Sequence, residues 1–100
     1  MRYRYKLNPA MLSDYEEAYA WYEDRQMGLG ERFTEAVRQK LEEISLNPEI
    51  FGKTNSRIFR EASVDNFPYL IVYKISKRRN EIYISSIHHT MKHPGKKYRK

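Results

Sequence analysis

The chain has 100 residues and a formal net charge of +6, which fits a single domain with a modest core. It contains no cysteine, so disulfide frameworks, thiolate metal sites and thiol nucleophiles are excluded. No run of about 18 apolar residues is present, so we expect no membrane span or signal peptide, and the cytoplasm is the default compartment. Residues 1–50 carry 7 basic and 10 acidic groups, whereas residues 51–100 carry 12 basic and 3 acidic groups. The basic second half favours a polyanion or an acidic protein as partner.

The chain begins with a pattern typical of one strand followed by a helix. Basic and apolar residues alternate over residues 2–7, as in a strand with one solvated face. Ser13 and Glu16 have the spacing of a capping box, which predicts that a helix begins there. We expect this helix to run to residues 26–27, with Gly28 in the left-handed position after its end. Its apolar stripe comprises Leu12, Tyr15, Ala18, Tyr19 and Tyr22.

A second helix is predicted to double back on the first after the short joint at residues 28–30. It begins near Glu31, whose charge suits a helix N-terminus, and stops at Asn47-Pro48, because proline disfavours helix in the residue before it. The apolar stripe of this helix comprises Phe33, Ala36, Val37, Leu41 and Ile44. Most of the acidic residues, Glu23 among them, are assigned to the outer, solvated faces of the two helices.

The remaining elements are predicted to be three strands joined by turns. They cover residues 57–62, 69–75 and 82–88, and the middle one is apolar on both faces, as a central strand is. In the last strand, alternation places Ile82, Ile84 and Ser86 on one face. The order predicts an α+β fold with two layers, βααβββ, in which the helical hairpin packs on one face of an antiparallel sheet. We expect one domain over residues 1–100, with a basic tail at 91–100.

An ordered set of short motifs runs through nearly the whole chain. Its members are Ala18, Trp21-Tyr22, Gly28-Leu29-Gly30, Phe33, Asn47-Pro48, Arg60, Phe67-Pro68-Tyr69, Ile71, Tyr73 and Ile87-His88-His89 through Pro94. Together they resemble the RelE/ParE superfamily of bacterial toxins. The resemblance implies the toxin of a type II toxin–antitoxin pair with the fold predicted above. It also implies a cognate antitoxin that wraps and neutralises the toxin, in a hetero-oligomer of the two.

The resemblance implies one of two targets. RelE-like members cleave mRNA in the ribosomal A site, whereas ParE-like members share the fold and inhibit DNA gyrase. His89, Lys92 and Pro94 match an ending common among members labelled plasmid-stabilisation or ParE-like proteins, but Lys92 stands where arginine is usual. Lysine lacks the planar fork with which arginine grips phosphate, so we favour the gyrase inhibitor. A RelE-like endoribonuclease and a non-toxic nucleic-acid-binding domain remain the alternatives.

Candidate residues exist for a metal-independent nuclease, which needs an acid, a base and cations beside the scissile phosphate. Arg60 and Lys74 would stabilise the phosphate, and His89 is the best acid or base because imidazole titrates near neutral pH. Lys92 and Tyr98 complete the set. We expect one cluster beside the open sheet face, although a solvated or ion-paired Arg60 is an equally good interpretation.

Other side chains are candidates for contacts with partners. Those for phosphate or nucleic acid are Arg57, Arg60, Lys92, Lys96 and Lys97, and those for anchoring the antitoxin are Trp21 and Phe59. His88 and His89 are adjacent on a strand, so they should face opposite ways, with one of them against the helices. We expect neither a cofactor nor a metal, because the three histidines have no carboxylate or cysteine near them in sequence.

Overall fold

Two helices pack on one face of a four-stranded sheet, as the sequence predicts. The computed structural model describes residues 2–52, 58–91 and 97–98. The elements are β1 (Arg4–Leu7), α1 (Pro9–Arg25), α2 (Leu29–Leu46), a 3₁₀ turn (Pro48–Ile50), β2 (Arg60–Ser63), β3 (Tyr69–Ser76) and β4 (Glu81–His89). The strand order is β1-β4-β3-β2. None of the helices described is long and apolar enough to cross a membrane.

The sheet is mixed, so the prediction of a wholly antiparallel sheet was wrong at one edge. β2 and β3 pair antiparallel, as do β3 and β4, because short turns join them. β1 pairs parallel with β4, with Arg4 opposite Glu81 and Leu7 opposite Ile84. β1 is connected to the rest of the sheet through the helical hairpin, so no tight turn forces it to run antiparallel to its neighbour.

Helix α1 begins four residues before the predicted capping box. Asn8 is the N-cap, and its Oδ1 accepts a hydrogen bond from the backbone N–H of Ala10. Pro9 occupies the first helical position, where its missing N–H costs nothing. The capping-box prediction was therefore wrong, because Asn8-Pro9 starts the helix as well as ending the strand.

The apolar stripe of α1 is shifted by one residue at its beginning. Met11 is buried, whereas Leu12 is 50% exposed, so Leu12 was wrongly assigned to the core. Met11, Tyr15, Ala18 and Tyr22 are spaced by three or four residues, which places them on one helical face. α2 follows its predicted stripe, since Phe33, Val37 and Ile44 are buried.

The joint between the helices depends on Glu23, which the sequence had assigned to solvent. The carboxylate of Glu23 accepts hydrogen bonds from the backbone N–H groups of Gly28 and Gly30, at 3.0–3.2 Å. It thereby satisfies free donors at the N-terminus of α2 and lies where the helix dipole favours a negative charge. Gly28 has φ +88°, as the left-handed prediction required.

The core lies between the helical hairpin and the sheet. Phe33 is fully buried at its centre, and its ring centroid is 5.2–5.3 Å from those of Tyr22, Phe67 and Tyr69. The sheet contributes its most buried side chains from β3 and β4, namely Ile71, Tyr73, Ile82, Ile84 and Ile87. The opposite face of the sheet is not covered by either helix.

Candidate functional site

The strand register assigns the candidate side chains to two different faces of the sheet. Directly opposite residues on neighbouring strands share a face. Arg60 is opposite Tyr73, and His89 is opposite Tyr69; both tyrosines belong to the core under the helices. Lys74 is opposite Tyr83, on the uncovered face. The structure therefore does not bring Arg60, Lys74 and His89 into one cluster.

Arg60 is engaged by the polypeptide backbone. One terminal nitrogen of its guanidinium donates to the carbonyl oxygens of Phe51, at 2.6 Å, and Glu49, at 3.2 Å. Beside it, the Tyr73 hydroxyl donates to the carbonyl oxygen of Pro48 at 2.6 Å. These bonds hold the segment that follows α2 against β2 and β3, which is a structural role.

His89 lies at the end of β4, far from Lys74. Its ring stands edge-on to Tyr69, with centroids 5.0 Å apart, and its Nδ1 accepts the backbone N–H of Met91 at 3.0 Å. Lys74 is five residue steps along β3 from Tyr69, which corresponds to roughly 17 Å along a strand. His89 and Lys74 are therefore at opposite ends of the sheet as well as on opposite faces.

The two histidines face opposite ways, as expected, and His89 is the one on the helix side. His88 is 8% exposed and is opposite Leu70. Sequence alternation alone would have given His88 the face of Ile82 and Ile84. The register shift opposite Val72 and Tyr73 inserts one extra residue into β4, and such a bulge exchanges the faces beyond it.

Lys97 and Tyr98, the described residues of the tail, lie on the uncovered face, and Tyr98 packs beside Phe59. The hydroxyls of Ser85 and Ser86 donate to the carbonyl oxygen of Lys97 at 3.1 and 2.8 Å. The Tyr98 ring lies 5.1 Å from that of Phe59, which is only 1% exposed. Phe59 is therefore not exposed to a partner in this structure, and Tyr98 is one of the side chains beside it.

Lys97 is neutralised on this face by a carboxylate. Its ammonium lies 2.6 Å from Oε2 of Glu61, and that oxygen also accepts the Tyr98 hydroxyl at 2.9 Å. Burial disfavours the charged ammonium, but the hydrogen bond and the charge of Glu61 outweigh it and raise the pKa of Lys97 above its usual value. Lys97 is thus a paired cation rather than one available to phosphate.

A groove remains open at the end of the uncovered face nearest the β3–β4 turn. Its volume is about 290 Å³, and it is lined by Lys6, Lys74, Ile75, Ser76, Arg79, Glu81 and Tyr83. Sequence reasoning selected Lys74 but missed Lys6 and Arg79. The basic alternation of the first strand was a signal for Lys6, but only the parallel pairing of β1 with β4 brings it beside Lys74.

Trp21 lies on the exposed side of α1, in the helical layer, whereas the groove lies on the sheet. It is 49% exposed, and the guanidinium of Arg25 lies 3.7 Å from the centroid of its ring. Tryptophan is enriched among the residues that contribute most to protein–protein binding. Its role as a partner contact stays a prediction.

Three predicted contacts with phosphate, Arg57, Lys92 and Lys96, lie outside the described residues. Within residues 2–52, 58–91 and 97–98, no group of three or more histidine and carboxylate side chains is placed to hold a metal ion.

The comparisons with known proteins agree with this fold. The family model of the ParE toxin of the parDE type II toxin–antitoxin system matches residues 5–94. A solved structure of an E. coli RelE toxin mutant in the free state is similar, with a TM-score of 0.68 and 16% sequence identity. The alignment covers 91% of this chain and 86% of that one, whereas no curated protein gives a significant match. Because the family match spans nearly the whole length, the chain belongs to the ParE toxin family of type II toxin–antitoxin systems.

Proposed function

We propose that the chain is a toxin that arrests growth by inhibiting DNA gyrase and is neutralised by a cognate antitoxin. The observation that carries the proposal is the match to the ParE toxin model over residues 5–94. A toxin with this target acts in the cytoplasm. The uncovered sheet face and the outer side of α1 are the surfaces on which its partners would bind.

The arrangement of the candidate nuclease residues supports gyrase over mRNA as the target. A nuclease of this type needs its acid, base and cations around one phosphate. Here Arg60 is bonded to backbone carbonyls, and Lys97 is paired with Glu61. His89 and Lys74 lie on opposite faces. Inhibition of a protein target requires no such convergence.

The charge distribution supports an acidic antitoxin. The second half of the chain is strongly basic, and complementary charge accelerates association and selects partners. An extended or helical acidic segment is the kind of partner that such a surface fits. Trp21 would supply an apolar anchor for the same partner on α1, and the two proteins would form a hetero-oligomer.

The proposal is tested by expressing the chain from a tightly controlled promoter, alone and together with the gene next to its own. We expect growth arrest with induction of a DNA-damage reporter, relief by the neighbouring gene product, and inhibition of purified gyrase in a supercoiling assay. His89→Ala should retain the arrest, since no gyrase contact is assigned to His89. Translation arrest with mRNA cut at codons, lost in His89→Ala, would instead establish the endoribonuclease. Normal growth on expression would contradict both toxin hypotheses, and the non-toxic nucleic-acid-binding domain would then be the remaining interpretation.

A further inference from the structure

The groove at the β3–β4 turn has the chemistry of an anion site, although Lys74 is the only one of its residues that the sequence predicted to contact phosphate. Three cationic side chains line it, Lys6, Lys74 and Arg79, against one carboxylate, Glu81. We infer that this groove binds a phosphate group, either that of a nucleic-acid strand or that of a free nucleotide. The inference is independent of the gyrase proposal, because it assigns a ligand to a surface rather than a target to the toxin.

The two lysines stand on either side of Tyr83 in a single row across three strands. Lys6 of β1 is opposite Tyr83 of β4, which is in turn opposite Lys74 of β3. Strands are about 4.8 Å apart, so the two lysine backbones are roughly 10 Å apart. Flexible ammonium groups on both sides of a gap of this width can reach the same phosphate from two directions.

The Tyr83 hydroxyl accepts a hydrogen bond from Asn8, which leaves its own proton free to be donated. Asn8 Oδ1 accepts the backbone N–H of Ala10, which fixes the orientation of the Asn8 amide. The amide nitrogen of Asn8 then donates to the Tyr83 oxygen at 2.6 Å. Because that oxygen already accepts a hydrogen bond, the phenolic proton is available to an anion. The N-cap residue of α1 thus also contacts a side chain that lines the groove.

Lys74 is held at the groove without being neutralised. Its ammonium is 5.2 Å from the centroid of the Tyr83 ring and 5.8 Å from that of Phe59. Cation–π contacts of this kind position an ammonium but leave its N–H donors free. Within the described part of the chain, Lys74 has no ion pair, whereas Lys40, Lys77 and Lys97 each have a carboxylate within 4 Å.

The donor set and the size of the groove favour phosphate among anions. Two ammonium groups, a guanidinium and a phenol suit a tetrahedral group with several acceptor oxygens better than a planar carboxylate with two. The volume of about 290 Å³ lies near the lower limit for small-molecule sites. It therefore suits one phosphate with its attached sugar.

The experiment compares four variants with the wild-type chain, purified alone after separation from its antitoxin. Lys74→Met keeps the packing on the aromatic rings and removes the charge, Lys6→Gln removes the second ammonium, and Tyr83→Phe removes only the phenol. Arg78→Gln is the matched control, since Arg78 is an exposed cation of the same turn that does not line the groove. The probes are ADP, followed by calorimetry, and a fluorescent single-stranded oligonucleotide of about twelve nucleotides, followed by anisotropy.

We expect Lys74→Met and Lys6→Gln each to weaken binding at least tenfold, and Arg78→Gln less than threefold. If ADP binds with this dependence, the phosphate source is a free nucleotide. If only the oligonucleotide binds with this dependence, the phosphate source is a nucleic-acid strand. The magnitude of the slope of log affinity against log salt concentration should then decrease by about 0.7 for each phosphate contact that a variant loses. Equal losses in Lys74→Met and Arg78→Gln, or no binding of either probe, would overturn the inference. Gyrase inhibition is measured separately, so either proposal can fail while the other stands.

Discussion

Replacing Arg60 tests whether this residue stabilises the fold or takes part in the toxic activity. Its guanidinium donates to the carbonyl oxygens of Glu49 and Phe51, and the second bond is short, at 2.6 Å. Hydrogen bonds from charged groups contribute about 1.5–3 kcal/mol each. The bond to Glu49 is solvent-exposed, so we expect Arg60→Met to lower the free energy of unfolding by about 1.5–2 kcal/mol. For a domain of about 100 residues this corresponds to roughly 6–16 °C in Tm.

The assay is thermal unfolding followed by circular dichroism, combined with the growth-arrest assay for each variant. Arg60→Lys keeps the charge and one donor direction, so its Tm should lie between those of the wild type and Arg60→Met. Tyr73→Phe, which leaves the buried Pro48 carbonyl unpaired, should be destabilised by a similar amount through the neighbouring bond. An Arg60→Met chain that melts within about 2 °C of wild type but no longer arrests growth would refute the structural role.

Three other predictions follow from the same contacts. Gly30→Ala should lower Tm by about 4–8 °C. A Cβ at this position would lie 2.9 Å from both Glu23 Oε1 and the Tyr19 ring, and it would displace the carboxylate that caps α2. Gly52→Ala is the control and should melt like wild type, because a Cβ there meets nothing within 4 Å. Burial raises the pKa of Tyr73 to about 12 from 10.0. Between pH 10 and pH 12 the phenol therefore ionises only in the unfolded chain, and the free energy of unfolding should fall by about 1.4 kcal/mol per pH unit. The Tm of Tyr73→Phe should fall less steeply with pH than that of wild type, and identical curves would contradict this. Trp21→Ala should weaken antitoxin binding by tenfold or more in calorimetry, whereas an equal loss in Leu12→Ala, the exposed apolar control on the same helix, would exclude a specific anchor.

The order of elements was readable from the sequence because each depends on local signals. The stripe of α2, the left-handed Gly28 and the end of α2 before Asn47-Pro48 all follow from residues close together in the chain. The start of α1 was misassigned because two valid capping signals compete there. Asn8 succeeds over Ser13 because a cap at Asn8 lets the helix bury Met11 under the sheet, and that preference belongs to packing rather than to local sequence.

The faces of the strands were not readable, and the candidate site depended on them. A strand fixes which of its own residues share a face, but not which face a helix covers. β3 is apolar on both sides, so it gives no indication of the side on which Lys74 lies. In β4, one extra residue at the bulge moves Ile87 onto the face of Ile82 and Ile84. The same shift moves His89 to the helix side. β4 contains no glycine or turn residue from which the bulge could have been predicted.

The role of each cation on this sheet is determined by the acceptors around it rather than by its residue type. Arg60 lies on the helix side of the sheet, where the carbonyl oxygens of Glu49 and Phe51 accept hydrogen bonds from its guanidinium. Lys97 lies over Glu61, which cancels its charge. Lys74 shares its groove with one carboxylate, Glu81, and two further cations, and within the described residues it forms no ion pair, so it is the one of the three whose charge is open to an external ligand. Of these three cations, the one near the β3–β4 turn is therefore the most available to an anion. An acidic antitoxin segment guided by charge alone would reach the groove end first, and added salt should slow its association less in Lys74→Met than in wild type.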